Sequence, residues 1–210
     1  MKLAAITTAL LSMGALAAPS PTAQEFQFSD LQWTVETSPG HTITFNGTIE
    51  ALTAQLQQQQ QAETTATTTT KTVEITNTAP DADTVTDEAS TVTRRTVDFS
   101  GGNFFCGGPW PYAYMAAYWE GLDYLRSIMG QVRVPPGPRM CSRVSCSYDA
   151  AVWICNDRTD ELHLNAFADI ADGVSYIISR CATNAWGARQ VAGQVFHPDH
   201  WNVIVRRDDC

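Results

Sequence analysis

The chain has 210 residues and a formal net charge of −9, from 13 basic and 22 acidic side chains. This length corresponds to one or two domains. The acidic balance argues against nucleic acid or an anionic membrane as the main partner, because both require a positively charged protein surface. The part from Thr96 onward remains negative, with nine Arg, twelve Asp or Glu and no Lys.

The first 17 residues have the pattern of a secretory signal peptide. Lys2 gives a basic start, residues 3–16 are apolar, and Ala15-Leu16-Ala17 is a cleavage signal of small residues. The apolar run is shorter than the ~20 residues of a membrane-spanning helix, and no other run approaches that length. We therefore expect cleavage after Ala17, a secreted extracellular protein and no stable membrane insertion.

Residues 18–95 differ in composition from the rest and are predicted to form a pro-segment. Alternating apolar residues around Ser38-Pro39-Gly40 predict a hairpin, which a short helix over 49–56 follows, so structure is expected within 25–56. Residues 57–95 contain a glutamine run and a threonine tract, which favours disorder. Asn46-Gly47-Thr48 is a glycosylation sequon.

Two adjacent arginines, Arg94 and Arg95, end the threonine-rich tract. A dibasic pair in an exposed chain suits a kexin-type processing protease. The alternative is a solvated charge pair in a linker. Cleavage after Arg95 would leave 96–210 as the mature domain, and disulfides would supplement the modest core of so small a domain.

All six cysteines lie in the second half of the chain. They are Cys106, Cys141, Cys146, Cys155, Cys181 and Cys210. In a secreted protein an even number predicts three disulfides, for which fifteen pairings are possible. A zinc site is disfavoured, because the chain has neither a CxxC pair nor a finger-type histidine pair.

The pattern after Thr96 predicts the order β-α-β-β-α-β-β. The elements are a strand at 103–106, a helix at 112–129 ended by Gly130, two strands within 141–157 that turn at Asp149, a helix from the N-cap Asn165 to Cys181, and strands at 190–196 and 201–207. Two helices on one face of a largely antiparallel sheet of about five strands give an α+β two-layer sandwich.

These elements resemble the virally encoded killer toxin of smut fungi and its killer-toxin-like relatives, and small cysteine-rich fungal effectors have similar shapes. The matching pieces are the Cys106 strand, Ala151–Cys155 with Asn156-Asp157 after it, the helix that ends at Cys181, and Gly193-Gln194-Val195 leading to Asn202–Val205 and Cys210. The chain departs from the toxin pattern in its fewer cysteines, its inserted turn at 197–200 and its lack of the basic Lys.

The resemblance implies the predicted fold and a non-enzymatic protein that acts on another cell or its surface. Its target, a protein or a glycan, is unknown. The order of elements shared with the toxin also implies the disulfide pairing. The implied pairs are Cys106–Cys181, Cys141–Cys210 and Cys146–Cys155.

The strongest candidate for chemistry is His197, Asp199 and His200, with His163 as a further histidine. Such a group could bind metal or transfer protons in a small secreted hydrolase, although turn residues of this kind are usually solvated. Asp169 and Asp172 are one helical turn apart and suit the helix dipole. No catalytic motif or phosphate loop is present, so we predict no catalytic residue, metal or cofactor.

Five tryptophans follow Thr96, and core packing is their default role. Trp110 and Trp186 lie in loop-like sequence. They are therefore candidate exposed anchors for a protein or a glycan, and a carbohydrate-binding module is a third possible function.

Overall fold

The computed structural model describes residues 26–70, 96–185 and 187–210. The predicted signal peptide with Ala17, the Arg94-Arg95 pair and Trp186 lie outside the described residues. The described part is a mixed α+β fold of three sheets and three α-helices. The helices are α1 (Ile49–Thr70), α2 (Tyr118–Ser127) and α3 (Ala168–Cys181).

The described part has thirteen strands in three sheets, in place of the predicted five in one sheet. They are β1 (Gln27–Phe28), β2 (Gln32–Ser38), β3 (His41–Asn46), β4 (Phe104–Cys106), β5 (Ala113–Tyr114), β6 (Gly130–Val134), β7 (Met140–Ser147), β8 (Ala150–Asn156), β9 (Leu162–Leu164), β10 (Thr183–Ala185), β11 (Ala188–Val191), β12 (Gly193–His197) and β13 (Trp201–Arg207).

The largest sheet has six strands in the order β1-β7-β8-β13-β12-β4. Its neighbours are antiparallel except for β1, which runs parallel to β7. The predicted central hairpin is present as β7 and β8. Its two turn residues, Tyr148 and Asp149, have φ of 50° and 58°, as a two-residue type I′ turn requires.

Helices α2 and α3 pack on one face of this sheet. A Cβ at Gly173 of α3 would lie 2.7 Å from the side chain of Val203 on β13, so α3 and the sheet are in close contact there. On α2, Tyr118, Leu122 and Leu125 are buried as their spacing predicts. The apolar layer between helices and sheet forms the main core.

Three sequence expectations about the helices are corrected. The helix predicted from Tyr112 begins at Tyr118, because Ala113–Tyr114 pairs with β11 as strand β5. Gly130 opens strand β6 and does not cap a helix. Asn165 does not cap α3; the N-cap residue is Phe167, which tertiary packing buries completely.

The N-terminal segment belongs to the same core as the predicted mature domain. The second sheet has the order β3-β2-β6-β9, so it combines two strands from before residue 70 with two from after residue 96. The apolar side chains that this segment buries in the shared core are Leu31, Trp33, Val35, Ile49 and Leu52. Their burial contributes on the order of 10 kcal/mol of gross hydrophobic free energy.

The predicted boundary between a pro-segment at 18–95 and a mature domain at 96–210 is therefore not a boundary in the fold. The hairpin predicted from residue 31 is present as β2 and β3, and the helix after it begins at Ile49. That helix continues to Thr70, so the disorder predicted from residue 57 is wrong for 57–70. Residues 71–95 lie outside the described part.

All six cysteines are paired, and one of the three implied pairs is present. Cys106 joins Cys181, as the resemblance implies. The other pairs are Cys141–Cys155 and Cys146–Cys210, so the implied Cys141–Cys210 and Cys146–Cys155 pairs are wrong.

The strand register explains these two pairings. The β7–β8 ladder places Cys141 opposite Cys155 and Cys146 opposite Ala151. The end of β13 passes Ala150 at the start of β8, which brings Cys210 to Cys146. Three disulfides fit a protein that folds in an oxidising, extracellular route.

Candidate functional site

The six-stranded sheet presents its second face on the side away from α2 and α3. Val203 on β13 points to α3, so its neighbour Ile204 points to the opposite side. The pairing register then aligns Ile204 with Trp153 and Arg143 on one side and with Gln194 and Phe105 on the other. This row crosses five strands.

Arg206 anchors the centre of this second face. Its guanidinium lies 5.3 Å from the ring centre of Trp110 and 5.2 Å from that of Trp153, within the range of cation–π attraction. The same guanidinium donates to the Asp208 carboxylate at 2.7 Å, and the Trp153 indole donates to that carboxylate at 3.1 Å. Arg206 and both tryptophans are therefore held in fixed orientations.

A chain of side-chain hydrogen bonds continues from Trp110 across the sheet. The Trp110 indole donates to Gln194 at 3.3 Å, Gln194 donates to Asn202 at 2.8 Å, and Asn202 donates to Asp157 at 2.7 Å. Gln194 and Asn202 are buried, so each needs such partners. These hydrogen bonds fix the position of the Trp110 loop on the sheet.

Phe28 of strand β1 and Phe26, just before the strand, pack against this face. Phe28 packs edge-on against Trp153 with ring centroids 5.2 Å apart, and Phe26 lies 5.8 Å from Trp110. Phe28 is 61% exposed. We call this surface the aromatic–arginine face and define it by Phe28, Phe105, Trp110, Arg143, Trp153 and Arg206.

A separate cleft of about 980 Å³ lies between the N-terminal hairpin and the start of α3. Glu36 lines it from the hairpin, and Asp98, Asp169 and His197 line it from the rest of the chain. Desolvation by burial raises the pKa of Asp169 to about 6, with a further contribution from the nearby Asp172 charge. Such a value allows a carboxyl group to exchange protons near neutral pH.

Asp98, which lines this cleft, and Asp172, which is close to it on α3, have different surroundings from Asp169. Hydrogen bonds from the backbone N–H and the hydroxyl of Ser100 lower the pKa of Asp98. The Asp172 carboxylate accepts the backbone N–H of Val97 at 3.0 Å. The sequence suggested only a helix-dipole role for Asp169 and Asp172. Neither the spacing of these residues nor the composition around them indicated that Asp169 lines a cleft.

The structure brings part of the predicted histidine group together, because the Nδ1 atom of His197 lies 3.6 Å from the Asp199 carboxylate. His197 lines the acidic cleft, and its ring stacks on Trp201 with centroids 4.9 Å apart. Asp199 and His200 line a different depression with Asp157 and Asp160. His163 pairs with Glu161 at 2.7 Å on β9. Within the described ranges, no group of three or more His, Cys, Asp or Glu has a metal-binding arrangement.

Of the two tryptophans predicted to be exposed anchors, Trp110 and Trp186, the structure describes the first. Trp110 is half-buried in the aromatic–arginine face, and Trp186 is outside the described residues. Sequence reasoning missed Trp153, because a tryptophan within a β-type run looks like a core residue. The sequon residue Asn46 is exposed at the end of β3.

No family model, curated protein or solved structure matches this chain. In the described segments, no helix has both the length and the apolar character needed to cross a membrane.

Proposed function

We propose that this chain is a secreted, non-enzymatic interaction protein of effector or killer-toxin type, which binds a protein on the surface of another cell. The observation that carries the proposal is the aromatic–arginine face on an open side of the main sheet. Aromatic residues and arginine are enriched in protein interfaces relative to the remaining surface. The three disulfides and the predicted signal peptide support an extracellular site of action.

The geometry of this face favours a protein over a glycan as the target. A sugar ring would need an open indole face to stack on. The guanidinium of Arg206 lies over both Trp110 and Trp153. The more exposed rings of the face are Phe28 and Phe105, at 61% and 37%, and phenylalanine side chains offer apolar contact without a hydrogen-bonding group.

The test is binding of the labelled full chain to fungal and plant cells, with and without prior trypsin treatment of the cells. We expect saturable binding that trypsin treatment removes and that Phe28→Ala with Phe105→Ala weakens at least tenfold. Trp119→Ala is the matched control, because Trp119 is an aromatic residue of 45% exposure on α2, on the helix side of the sheet. Equal binding to trypsin-treated cells would contradict a protein target.

A carbohydrate panel separates the third possible function from the first. The same labelled chain is passed over chitin and β-glucan. Retention that Trp110→Ala abolishes would replace the proposal with a carbohydrate-binding module. Passage without retention leaves the protein target in place.

A small secreted hydrolase is a second candidate function, now centred on the acidic cleft. The observation that favours it is the pair of carboxyl groups whose pKa values are displaced in opposite directions, upward at Asp169 and downward at Asp98. Pairs of this kind often supply an acid and a base. His197 lines the same cleft.

Turnover of polysaccharide, ester and peptide substrates tests this candidate. A hydrolase would lose turnover with Asp169→Asn and with His197→Ala. Activity lost with His200→Ala alone would instead point to the depression around Asp157. Absence of turnover above the buffer rate on all three substrate classes would exclude the hydrolase.

A further inference from the structure

The segment before the predicted processing site is held on the rest of the chain by an extensive set of contacts. Strand β2 pairs with β6 over four residues, and β1 pairs with β7 over two. Trp33 packs edge-on against Phe167 with ring centroids 4.8 Å apart. These contacts place one side of the segment inside the common core.

Polar contacts from α1 add a second point of attachment. Glu50 in the first turn of α1 accepts a hydrogen bond from the Ser145 hydroxyl and another from the backbone N–H of Cys146, the latter at 3.3 Å. Both donors lie on β7, just after the irregularity between Arg143 and Ser145. A carboxylate that accepts two hydrogen bonds fixes the position of α1 on this strand.

No covalent bond other than the backbone joins the two parts. The segment before Thr96 has no cysteine, and all three disulfides link residues between Cys106 and Cys210. The residues that closely follow the predicted cleavage site are held in place by the rest of the domain. Val97 donates its N–H to Asp172, and Phe99 is buried in the core.

We propose that the N-terminal segment stays bound after cleavage at Arg95, so that the functional protein is a non-covalent two-chain complex. The partner that fits the β6 edge is therefore the segment 26–70 of the same chain. The predicted cut between two fixed parts would break none of the contacts described above. This inference rests on the predicted cleavage and is independent of the proposed function.

The bound segment also completes the surface described above. Phe26, just before β1, packs on Trp110, and Phe28 of β1 packs on Trp153. A product without the segment would lose Phe28 from the aromatic–arginine face and would also lose the packing of Phe26 on Trp110. A glycan on Asn46, which lies at the end of β3, would also remain on the product.

The experiment treats the purified secreted chain with a kexin-type protease and compares the product on a native sizing column and under denaturing, non-reducing conditions. We expect the 96–210 fragment and the fragment ending at Arg95 to elute together at the volume of the uncut chain, in equal amounts, and to separate in denaturant without reductant. Tenfold dilution should not separate them. Separation on the native column would overturn the proposal.

A chain that the protease leaves intact would overturn it too, because no two-chain product would then exist. Gly130→Ala perturbs the β2–β6 contact directly, and its Cβ would also lie 2.7 Å from the ring of Phe167. A Cβ at Gly130 would lie 2.2 Å from the Thr34 carbonyl oxygen, so we expect this variant, once cut, to lose more than half of its N-terminal fragment on the native column. Gly101→Ala is the matched control, because its Cβ would meet only Pro198 at 4.0 Å.

Discussion

The indole ring of Trp33 meets the ring of Phe167 edge to face, with centroids 4.8 Å apart and planes at 85°. Both side chains are fully buried. The Trp33 indole also donates to the Gly47 carbonyl at 2.7 Å, which satisfies its polar atom within the hairpin. This pair connects the part of the chain predicted to be discarded to the start of α3, so the folding of the two parts is coupled.

We expect Trp33→Ala to lower the free energy of unfolding of the full chain by about 3–5 kcal/mol, because it leaves a large cavity in the shared core. Urea unfolding followed by far-ultraviolet circular dichroism measures the change. Trp119→Ala removes an exposed tryptophan and should change the same quantity by about 0.5 kcal/mol or less. Comparable losses in both variants would show that the hairpin is not part of the cooperative core.

The sequence predicted local elements well where the side-chain pattern was itself local. The β7–β8 hairpin follows from its apolar residues and from Asp149 in the turn. The hairpin of β2 and β3 was also predicted from the sequence, but its pairing with strand β6 was not. Leu31, Trp33 and Val35 form a one-sided apolar pattern, and an isolated two-stranded hairpin is only marginally stable in water. That pattern required a partner surface, but strand β6 is too short and too polar for its sequence to identify it as that partner.

The position of the turn between β7 and β8 predicts part of the disulfide pairing. With Tyr148 and Asp149 as the two turn residues, Cys146 falls opposite Ala151, which excludes a Cys146–Cys155 bridge across the hairpin. The irregularity between Arg143 and Ser145 then shifts the register by one residue and brings Cys141 opposite Cys155. A bulge of this kind has no clear signal in the sequence, so the full pairing required the structure.

Peptide mapping without reduction should recover the three linkages Cys106–Cys181, Cys141–Cys155 and Cys146–Cys210. Replacing both Cys146 and Cys210 by Ala should cost about 4 kcal/mol of stability in the entropic model, since their sequence separation is 64. The matching change at Cys141 and Cys155, with a separation of 14, should cost about 3 kcal/mol in that model. A peptide that links Cys141 to Cys210 would contradict the register of β7 with β8.

The candidate site was the least predictable part of the molecule. The aromatic–arginine face collects residues from β1, β4, β7, β8, β13 and the loop of Trp110, and only the sheet order brings them together. His197 and His200 are close in sequence, yet they line two different depressions. Proximity along the chain therefore predicted the contact between His197 and Asp199, but not a cleft shared by His197 and His200.

Arg206→Ala should loosen the centre of the aromatic–arginine face. It removes the cation–π contacts to Trp110 and Trp153 and the ion pair with Asp208, which together should cost about 1–2 kcal/mol of stability. Acrylamide quenching of tryptophan fluorescence should increase because the two indoles become more accessible. Arg189→Ala, an exposed arginine on β11, is the control and should change neither quantity. Unchanged quenching in Arg206→Ala would show that the guanidinium does not hold the two rings.

The acidic cleft predicts a pH dependence whose sign follows from Asp169. Burial raises its pKa from an ordinary value of 3.8 to about 6 in the folded chain, so the folded state binds more protons than the unfolded state between these values. The stabilising contribution is therefore full below about pH 4 and is lost as the pH rises through 6. Glu36, Asp98 and His197 line the same cleft, and Asp172 lies one helical turn further along α3.

Asp169→Asn replaces the carboxyl group by a neutral side chain of the same size. We expect the variant to match the parent below pH 4 and to be more stable by about 1 kcal/mol at pH 7, a value reduced from the full pKa shift because Asp169 is half-buried. Thermal unfolding from pH 3.5 to 8 measures the difference. Asp123→Asn on α2 is exposed and should follow the parent curve at every pH. If Asp169→Asn is destabilised equally across the whole range, the carboxylate has a structural hydrogen-bonding role, and desolvation does not govern its ionisation.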